Sequence, residues 1–227
     1  MSAPDIAAAL SALLTNPRAD GRGKVYAVCA GAASMGTSFV ARALALQAAS
    51  EAKRCALIDL DFSQNAQYAA LSEPAAQSVH GALEGPYDAS LGVMPFWQVS
   101  PIVVDDPIAA QAGYCALHTV GESGLVVSQF LWDQMQDGQH VHLAVSRDYW
   151  NALRDNYDVS FVDVPSLDRS AAHRTVLGEV DGTILISSGH GDATTPGAMS
   201  TIKACGGQCV GAIVNEYRSP QLYGDSA

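Results

Sequence analysis

Residues 31–38 read Gly31-Ala32-Ala33-Ser34-Met35-Gly36-Thr37-Ser38. This is the spacing of the glycine-rich loop G-x-x-x-x-G-K-[ST], with Thr37 in place of the lysine. The apolar run 24–30 before it predicts a buried strand, and the amphipathic stretch 37–50 after it predicts a helix. In a strand–loop–helix unit such a loop directs backbone N–H groups toward a phosphate at the start of the helix. The stretch therefore predicts a phosphate-binding architecture that lacks the lysine charge.

Composition limits the classes of partner. The chain has 227 residues, 48% of them hydrophobic, which suits one α/β domain with a full core. With 23 acidic and 12 basic residues the formal net charge is −11, so a nucleic-acid partner is excluded and binding to anionic lipid is disfavoured. No apolar run approaches the ~20 residues of a membrane span, and the N-terminus lacks the basic region of a secretory signal. We therefore expect a cytoplasmic protein without direct membrane insertion.

Short apolar runs alternate with helical segments along the chain. This order predicts an α/β fold with a doubly wound, mainly parallel sheet of about seven strands. The predicted strands are 24–30, 54–60, 114–119, 140–145, 159–164, 182–188 and 208–214, and the predicted helices are 37–50, 147–156, 169–178 and 195–205.

Three segments follow from the same pattern. An N-terminal helix or arm occupies 1–23, the main domain spans 24–218, and a polar, flexible tail covers 219–227. Within the domain, the proline-rich stretch 73–107 predicts an irregular insertion and not a second domain.

Two of the predicted strands end in aspartate. Asp59, followed by Asp61, closes one apolar run, and Asp163 closes another. Because the carboxyl ends of parallel strands meet at one edge of a sheet, these acids should converge on the loop at 31–38. A loop hydroxyl, Ser38, together with strand-end carboxylates provides the oxygen ligands that Mg²⁺ takes. The alternative is that each aspartate only caps the helix that follows it.

These motifs together resemble the P-loop ATPases of the ParA/MinD (deviant Walker A) class. Within that class they are most similar to the bacterial tyrosine autokinases of capsule and exopolysaccharide export. Residues 36–41 are similar to the signature G-K-S-F-V-[SA], residues 57–61 resemble the second acidic motif, and residues 157–165 resemble the Walker B pattern Y-D-x-x-x-x-D-x-P. Residues 149–154 and 220–223 further resemble a branch that accompanies holdfast or similar exopolysaccharide export.

The resemblance implies roles for individual residues. Gly31, Gly36 and Thr37 would form the phosphate loop. Ser38 would ligate Mg²⁺ with help from Asp163 through water, and Asp59 would orient the attacking group beside Asp61. Asn215 would contact the adenine base. The expected cofactor is ATP or ADP with Mg²⁺, bound weakly or not at all.

The chain also departs from the family. Both signature lysines are replaced, by Ala32 and Thr37, and of the family's C-terminal tyrosine cluster only Tyr217 and Tyr223 remain. Helix 5–14 has none of the arginines of the family's oligomerisation helix.

Few other cations are available to replace the missing lysine. The three lysines, Lys24, Lys53 and Lys203, are predicted to lie elsewhere. Arg42 is five residues beyond Thr37 on the predicted helix, about 140° past a full turn, which predicts that it faces away. Arg169 follows the second acidic strand and is the candidate replacement, with a surface pair to Asp168 as the alternative.

The sequence therefore favours a catalytically inactive accessory protein of exopolysaccharide export. Its expected partner is the cytoplasmic part of an inner-membrane export or chain-length protein, with a second copy of the chain as a further candidate. Two alternatives remain open: a weak ATP-binding switch, and a ParA/MinD-like localisation factor of a pilus or polar system.

Overall fold

The computed structural model describes residues 3–102, 105–189 and 192–215. The strands are β1 (Lys24–Ala30), β2 (Cys55–Asp59), β3 (Leu83–Asp88), β4 (Trp97–Ser100), β5 (Cys115–Val120), β6 (Leu125–Phe130), β7 (His140–Leu143), β8 (Val159–Asp163), β9 (Gly182–Ser187) and β10 (Cys209–Val214). The helices are α1 (Ala3–Leu14), α2 (Thr37–Ser50), α3 (Ala66–Ser72), α4 (Pro74–His80), α5 (Pro107–Ala112), α6 (Arg147–Asn156), α7 (His173–Val176) and α8 (Thr195–Ala204), with a 3₁₀ turn at Trp132–Gln134.

Eight of these strands form one sheet in the order β10-β9-β1-β8-β2-β6-β5-β3 within the described part of the chain. The run from β10 to β6 is parallel, and β5 and β3 extend it in antiparallel pairing. Both faces are covered, because successive side chains of β1 enter different cores. Val25, Ala27 and Cys29 lie in one core, and Tyr26, Val28 and Ala30 lie in the other. The predicted α/β fold with a mainly parallel sheet is confirmed.

The number of strands differs slightly from the prediction of about seven. The stretch expected at 140–145 leaves the main sheet, since β7 pairs with β4 in a separate two-stranded sheet. Two unpredicted strands, β3 and β6, join the main sheet instead. β3 gives no periodic signal because it is an exposed edge strand whose register shifts between Glu84 and Tyr87. β6 follows β5 after the short turn 121–124 and completes a hairpin with it.

The stretch 73–107, expected to be an irregular insertion, contains helix α4 and strands β3 and β4. The helices at 66–72, 74–80 and 107–112 also went unpredicted, since none exceeds seven residues and so none builds two turns of periodicity. The predicted helix at 169–178 is restricted to His173–Val176.

The N-terminal arm is attached to the amino ends of the central strands. Lys24 Nζ and Tyr26 Oη both donate to the carbonyl oxygen of Leu13, at 3.0 and 2.6 Å. Arg18 pairs with Asp181, which also accepts from Arg154 Nε at 2.9 Å. The predicted tail at 219–227 and the tyrosines Tyr217 and Tyr223 lie outside the described residues. None of the helices described is both long and apolar enough to cross a membrane.

Candidate functional site

The glycine loop connects β1 to α2 at the carboxyl edge of the sheet. Gly36 precedes the helix at φ 80°, a left-handed conformation that glycine adopts without steric cost. A Cβ added to Gly36 would lie 2.2 Å from Nδ2 of Asn215, and one added to Gly31 would lie 2.6 Å from Oγ1 of Thr194. A side chain at Gly31 would collide with Thr194, and the left-handed conformation at Gly36 favours glycine, so both predicted glycines suit the shape of the loop.

A cavity of about 210 Å³ opens beside the loop. Its lining brings together Thr37, Ser38, Asp61, Asp163 and Arg169, five of the residues predicted from the sequence. The volume is below the range of roughly 300–1,000 Å³ for pockets that enclose small ligands. The open-sided cavity therefore has room for a phosphate-sized part of a ligand.

The two strand-end aspartates form a buried pair. Asp59 and Asp163 are register partners on β2 and β8, and they are 1% and 4% exposed. Burial, reinforced by the charge of Asp163, raises the pKa of Asp59 to about 7. Burial also raises the pKa of Asp163, against hydrogen bonds from Ser38 and Gln67 and the charge of Arg42, which act to lower it.

Asp59 is fully engaged by backbone groups. Its Oδ1 accepts the N–H of Asp61 at 2.8 Å, and its Oδ2 accepts the N–H of Gln67 at 3.0 Å. Asp59 is absent from the cavity lining, whereas Asp61 and Asp163 reach it. The structure therefore brings Asp59 to the site but keeps it behind the cavity wall.

Gln67 is a site residue that the sequence reasoning missed. It lies on α3 and is completely buried. Its Nε2 donates to Asp163 Oδ2 at 2.6 Å and to the carbonyl oxygen of Ser38 at 2.9 Å. Its Oε1 accepts from Arg42 Nη1 at 2.9 Å. One glutamine on an unpredicted short helix carries no sequence signal that would have identified it.

The prediction that Arg42 faces away from the loop agrees with the cavity lining, which does not include it. Arg42 is absent from the cavity lining, but it interacts electrostatically with both buried acids, Asp163 and Asp59. Burial lowers the pKa of Arg42, while the charges of Asp163 and Asp59 oppose that shift. The helical-wheel argument located Arg42 relative to the loop and took no account of α3, which packs beside α2.

Arg169 lies at the cavity, as the candidate replacement cation would. Its Nη2 is 3.6 Å from Asp61 Oδ2, and the side chain is 50% exposed. The ion pair thus forms with Asp61 across the site and not with the neighbouring Asp168. All three lysines belong to the described residues, and none lines the cavity.

Asn215, predicted to contact adenine, hydrogen-bonds to the glycine loop in this structure. Its Nδ2 donates to the carbonyl oxygen of Met35 at 3.0 Å, its side chain is buried, and it is absent from the cavity lining. Asn215 therefore holds the end of β10 against the glycine loop.

Ser38 and Asp163, the residues predicted to hold Mg²⁺, both line the cavity, and each is already hydrogen-bonded within the protein. Mg²⁺ requires near-octahedral oxygen ligands and keeps several waters. Asp163 is buried, its Oδ2 accepts from Gln67, and Ser38 also hydrogen-bonds to it. Within residues 3–102, 105–189 and 192–215 no group of three or more His, Cys, Asp or Glu side chains is arranged to hold a metal ion.

No protein-family model and no curated protein sequence matches the chain. Solved structures do match. The kinase domain of the Escherichia coli tyrosine kinase ETK superposes with a TM-score of 0.59 at 15% identity, covering 88% of this chain and 70% of that one. The kinase domain of VpsO superposes with a TM-score of 0.58 at 17% identity and covers 95% of both chains.

A third similar structure is the septum site-determining protein MinD from Pyrococcus horikoshii, in complex with Mg-ADP. It gives a TM-score of 0.52 at 14% identity, over 87% of this chain and 72% of that one. At such identities the likeness concerns the fold alone. The chain thus has the P-loop NTPase-like fold seen in bacterial tyrosine kinase domains and in MinD.

Proposed function

We propose that this chain is a catalytically inactive P-loop protein that serves as a cytoplasmic accessory component of exopolysaccharide export. In this role it docks on the cytoplasmic part of an inner-membrane export or chain-length protein, and a homodimer is a second form that the same fold would support. The export context rests on the sequence motifs described above and is consistent with the similarity of the fold to two tyrosine kinase domains.

One observation supports the proposal that the chain is catalytically inactive. The glycine loop lines the cavity, yet no lysine does, and Arg169, which also lines it, is paired with Asp61. Phosphoryl transfer depends mainly on positioned positive charge. At about 4 Å and an effective dielectric constant of 20, each uncompensated contact between a phosphate charge and a carboxylate costs on the order of 4 kcal/mol. The electrostatics of the cavity therefore oppose a bound triphosphate.

Calorimetric titration with Mg-ATP and Mg-ADP tests this proposal. We expect no binding tighter than about 100 μM, which corresponds to roughly 5.5 kcal/mol, and no release of phosphate. A tighter complex or measurable turnover would contradict the loss of nucleotide function. Capture by the purified cytoplasmic segments of export proteins, compared with pilus components, tests the partner and separates it from a polar localisation factor.

A weak ATP-binding switch is the second candidate, and the placement of Arg169 favours it. Half of its guanidinium side chain is exposed at the cavity, so it is free to turn from Asp61 to a phosphate. The P. horikoshii MinD structure contains Mg-ADP on a similar fold. Binding in the micromolar range without turnover would select this candidate over the first.

A further inference from the structure

We propose that Gln67, held in place by Arg42, substitutes for a divalent cation between helix α2 and the acidic pair, so that this site works without Mg²⁺. This inference rests on the proposed function, in which the cavity is a former phosphate site. It concerns residues behind the cavity that the sequence motifs do not include.

Gln67 touches the two residues predicted to hold Mg²⁺, and it reaches Ser38 at the main-chain carbonyl oxygen and not at the hydroxyl. Its amide nitrogen binds two oxygens, Asp163 Oδ2 at 2.6 Å and the Ser38 carbonyl at 2.9 Å. Its backbone N–H binds Asp59 Oδ2 at 3.0 Å. One residue thus joins the start of α2 to both aspartates, and it does so as a donor at each oxygen.

Arg42 supplies the charge behind this contact. Its Nη1 donates to Gln67 Oε1 at 2.9 Å, so the amide dipole of Gln67 points its positive end at Asp163 and its negative end at the guanidinium. Hydrogen bonds in such chains polarise one another in a low-dielectric interior. The charge of the buried acids is thereby offset by an internal cation, and Asp163 Oδ2 already has a hydrogen-bond donor.

The same contacts would also serve simply to hold α3 against α2. A purely structural role predicts that substitutions change only stability. A substitute for a cation predicts that the substitutions also change the affinity for metal ions. Metal binding without nucleotide is therefore the informative measurement.

The test measures Mn²⁺ binding by electron paramagnetic resonance and the effect of 10 mM MgCl₂ on the melting temperature. The variants are Gln67→Glu, which puts a third carboxylate beside Asp59 and Asp163, and Gln67→Ala, which removes the amide. The matched control is Gln77→Glu, because the Gln77 amide donates to the carbonyl oxygen of Ser72 on α3, away from the acidic pair. A NaCl series of equal ionic strength corrects for screening.

In the wild-type chain we expect no saturable Mn²⁺ binding below 1 mM and no Mg²⁺-specific shift in melting temperature. For Gln67→Glu we expect a Mg²⁺-specific rise of about 5 °C, as follows if the metal is present at some 100 times its dissociation constant. If that variant fails to fold, Gln67→Ala is expected to bind Mn²⁺ at least ten times more tightly than wild type. Submillimolar Mn²⁺ binding by the wild type, or a folded Gln67 variant that responds as Gln77→Glu does, would overturn the proposal.

The outcome is distinguishable from a failure of the proposed function. Tight ATP binding that is equal in MgCl₂ and in EDTA would contradict the loss of nucleotide binding and would support the role of Gln67. Metal binding by the wild-type chain without nucleotide would contradict the role of Gln67 and leave the accessory function standing.

Discussion

Asp59 on β2 lies directly opposite Asp163 on β8 in the parallel register of the central sheet. Two carboxyl groups so buried are costly to ionise together, and burial with the Asp163 charge raises the pKa of Asp59 to about 7. The folded state therefore holds protons that the unfolded chain has released between about pH 4 and pH 7. In this window the contribution of Asp59 to the free energy of unfolding falls as pH rises, by up to about 4 kcal/mol.

Asp163→Asn removes the like charge and should flatten this dependence, because the pKa of Asp59 then moves back toward its ordinary value. We expect the free energy of unfolding of the variant, relative to wild type, to increase from pH 5 to pH 8. Urea denaturation at several pH values measures the difference. Asp137→Asn, at an exposed position, should follow the wild-type profile, and parallel profiles for wild type and Asp163→Asn would refute the coupling.

Thr37→Lys restores a cation at the start of α2, where the side chain lines the cavity. The lysine would offset the carboxylates and interact with a bound phosphate, so we expect ATP affinity to rise at least tenfold, or about 1.4 kcal/mol. Calorimetry compares it with Thr15→Lys, which adds the same charge at an exposed site beyond α1. Equal affinities in the two variants would mean that a side chain at position 37 does not reach a bound phosphate.

Arg169→Ala in the Thr37→Lys background tests the remaining cation of the cavity. Because Arg169 is 3.6 Å from Asp61 and half exposed, its removal should cost less than about 1 kcal/mol of stability. It should weaken ATP binding at least fivefold, since a phosphate then meets the unpaired Asp61 carboxylate. The nearby exposed Arg174→Ala serves as the control; unchanged binding in Arg169→Ala would reject Arg169 as a phosphate contact.

Asp181→Asn tests the ionic cluster that attaches the N-terminal arm. Asp181 accepts from Arg154, which is only 7% exposed, as well as from Arg18 and the backbone N–H of Val25. Loss of the carboxylate leaves a buried guanidinium without its counter-charge, so we expect a loss of about 3 kcal/mol in the free energy of unfolding. Asp155→Asn, which removes an exposed 3.6 Å pair with Arg22, should cost less than about 1 kcal/mol. Similar losses in both variants would contradict the special role of Asp181.

The parts of the site that could be predicted are those formed by residues close together in the sequence. The glycine frame at 31–38 and the aspartates that end two apolar runs are local patterns, and the carboxyl edge of a parallel sheet brings such strand ends together. Arg169 was identified for the same reason, since it follows the second acidic strand by six residues. The three strands that carry these features lie where they were predicted, at Lys24–Ala30, Cys55–Asp59 and Val159–Asp163.

The contact between Gln67 and Arg42 could not be predicted from the sequence. Gln67 lies on a seven-residue helix that gives no periodic signal. The direction of Arg42 was predicted from its angle to Thr37 around the helix axis. That angle does not say which neighbouring element packs against each side of the helix. Only the docking of α3 beside α2 determines that the two side chains meet above the acids.

The sequence by itself determined the phosphate-loop frame, the mainly parallel sheet and the absence of a lysine at the loop, because each is a matter of residue identity at short separation. The tertiary structure decided that Asp59 and Asp163 are register partners, that Asn215 holds the loop, and that an internal amide occupies the space between helix and acids. These depend on which strands become neighbours and on how closely a short helix packs, and contacts across 96 and 180 residues leave no local pattern in the chain.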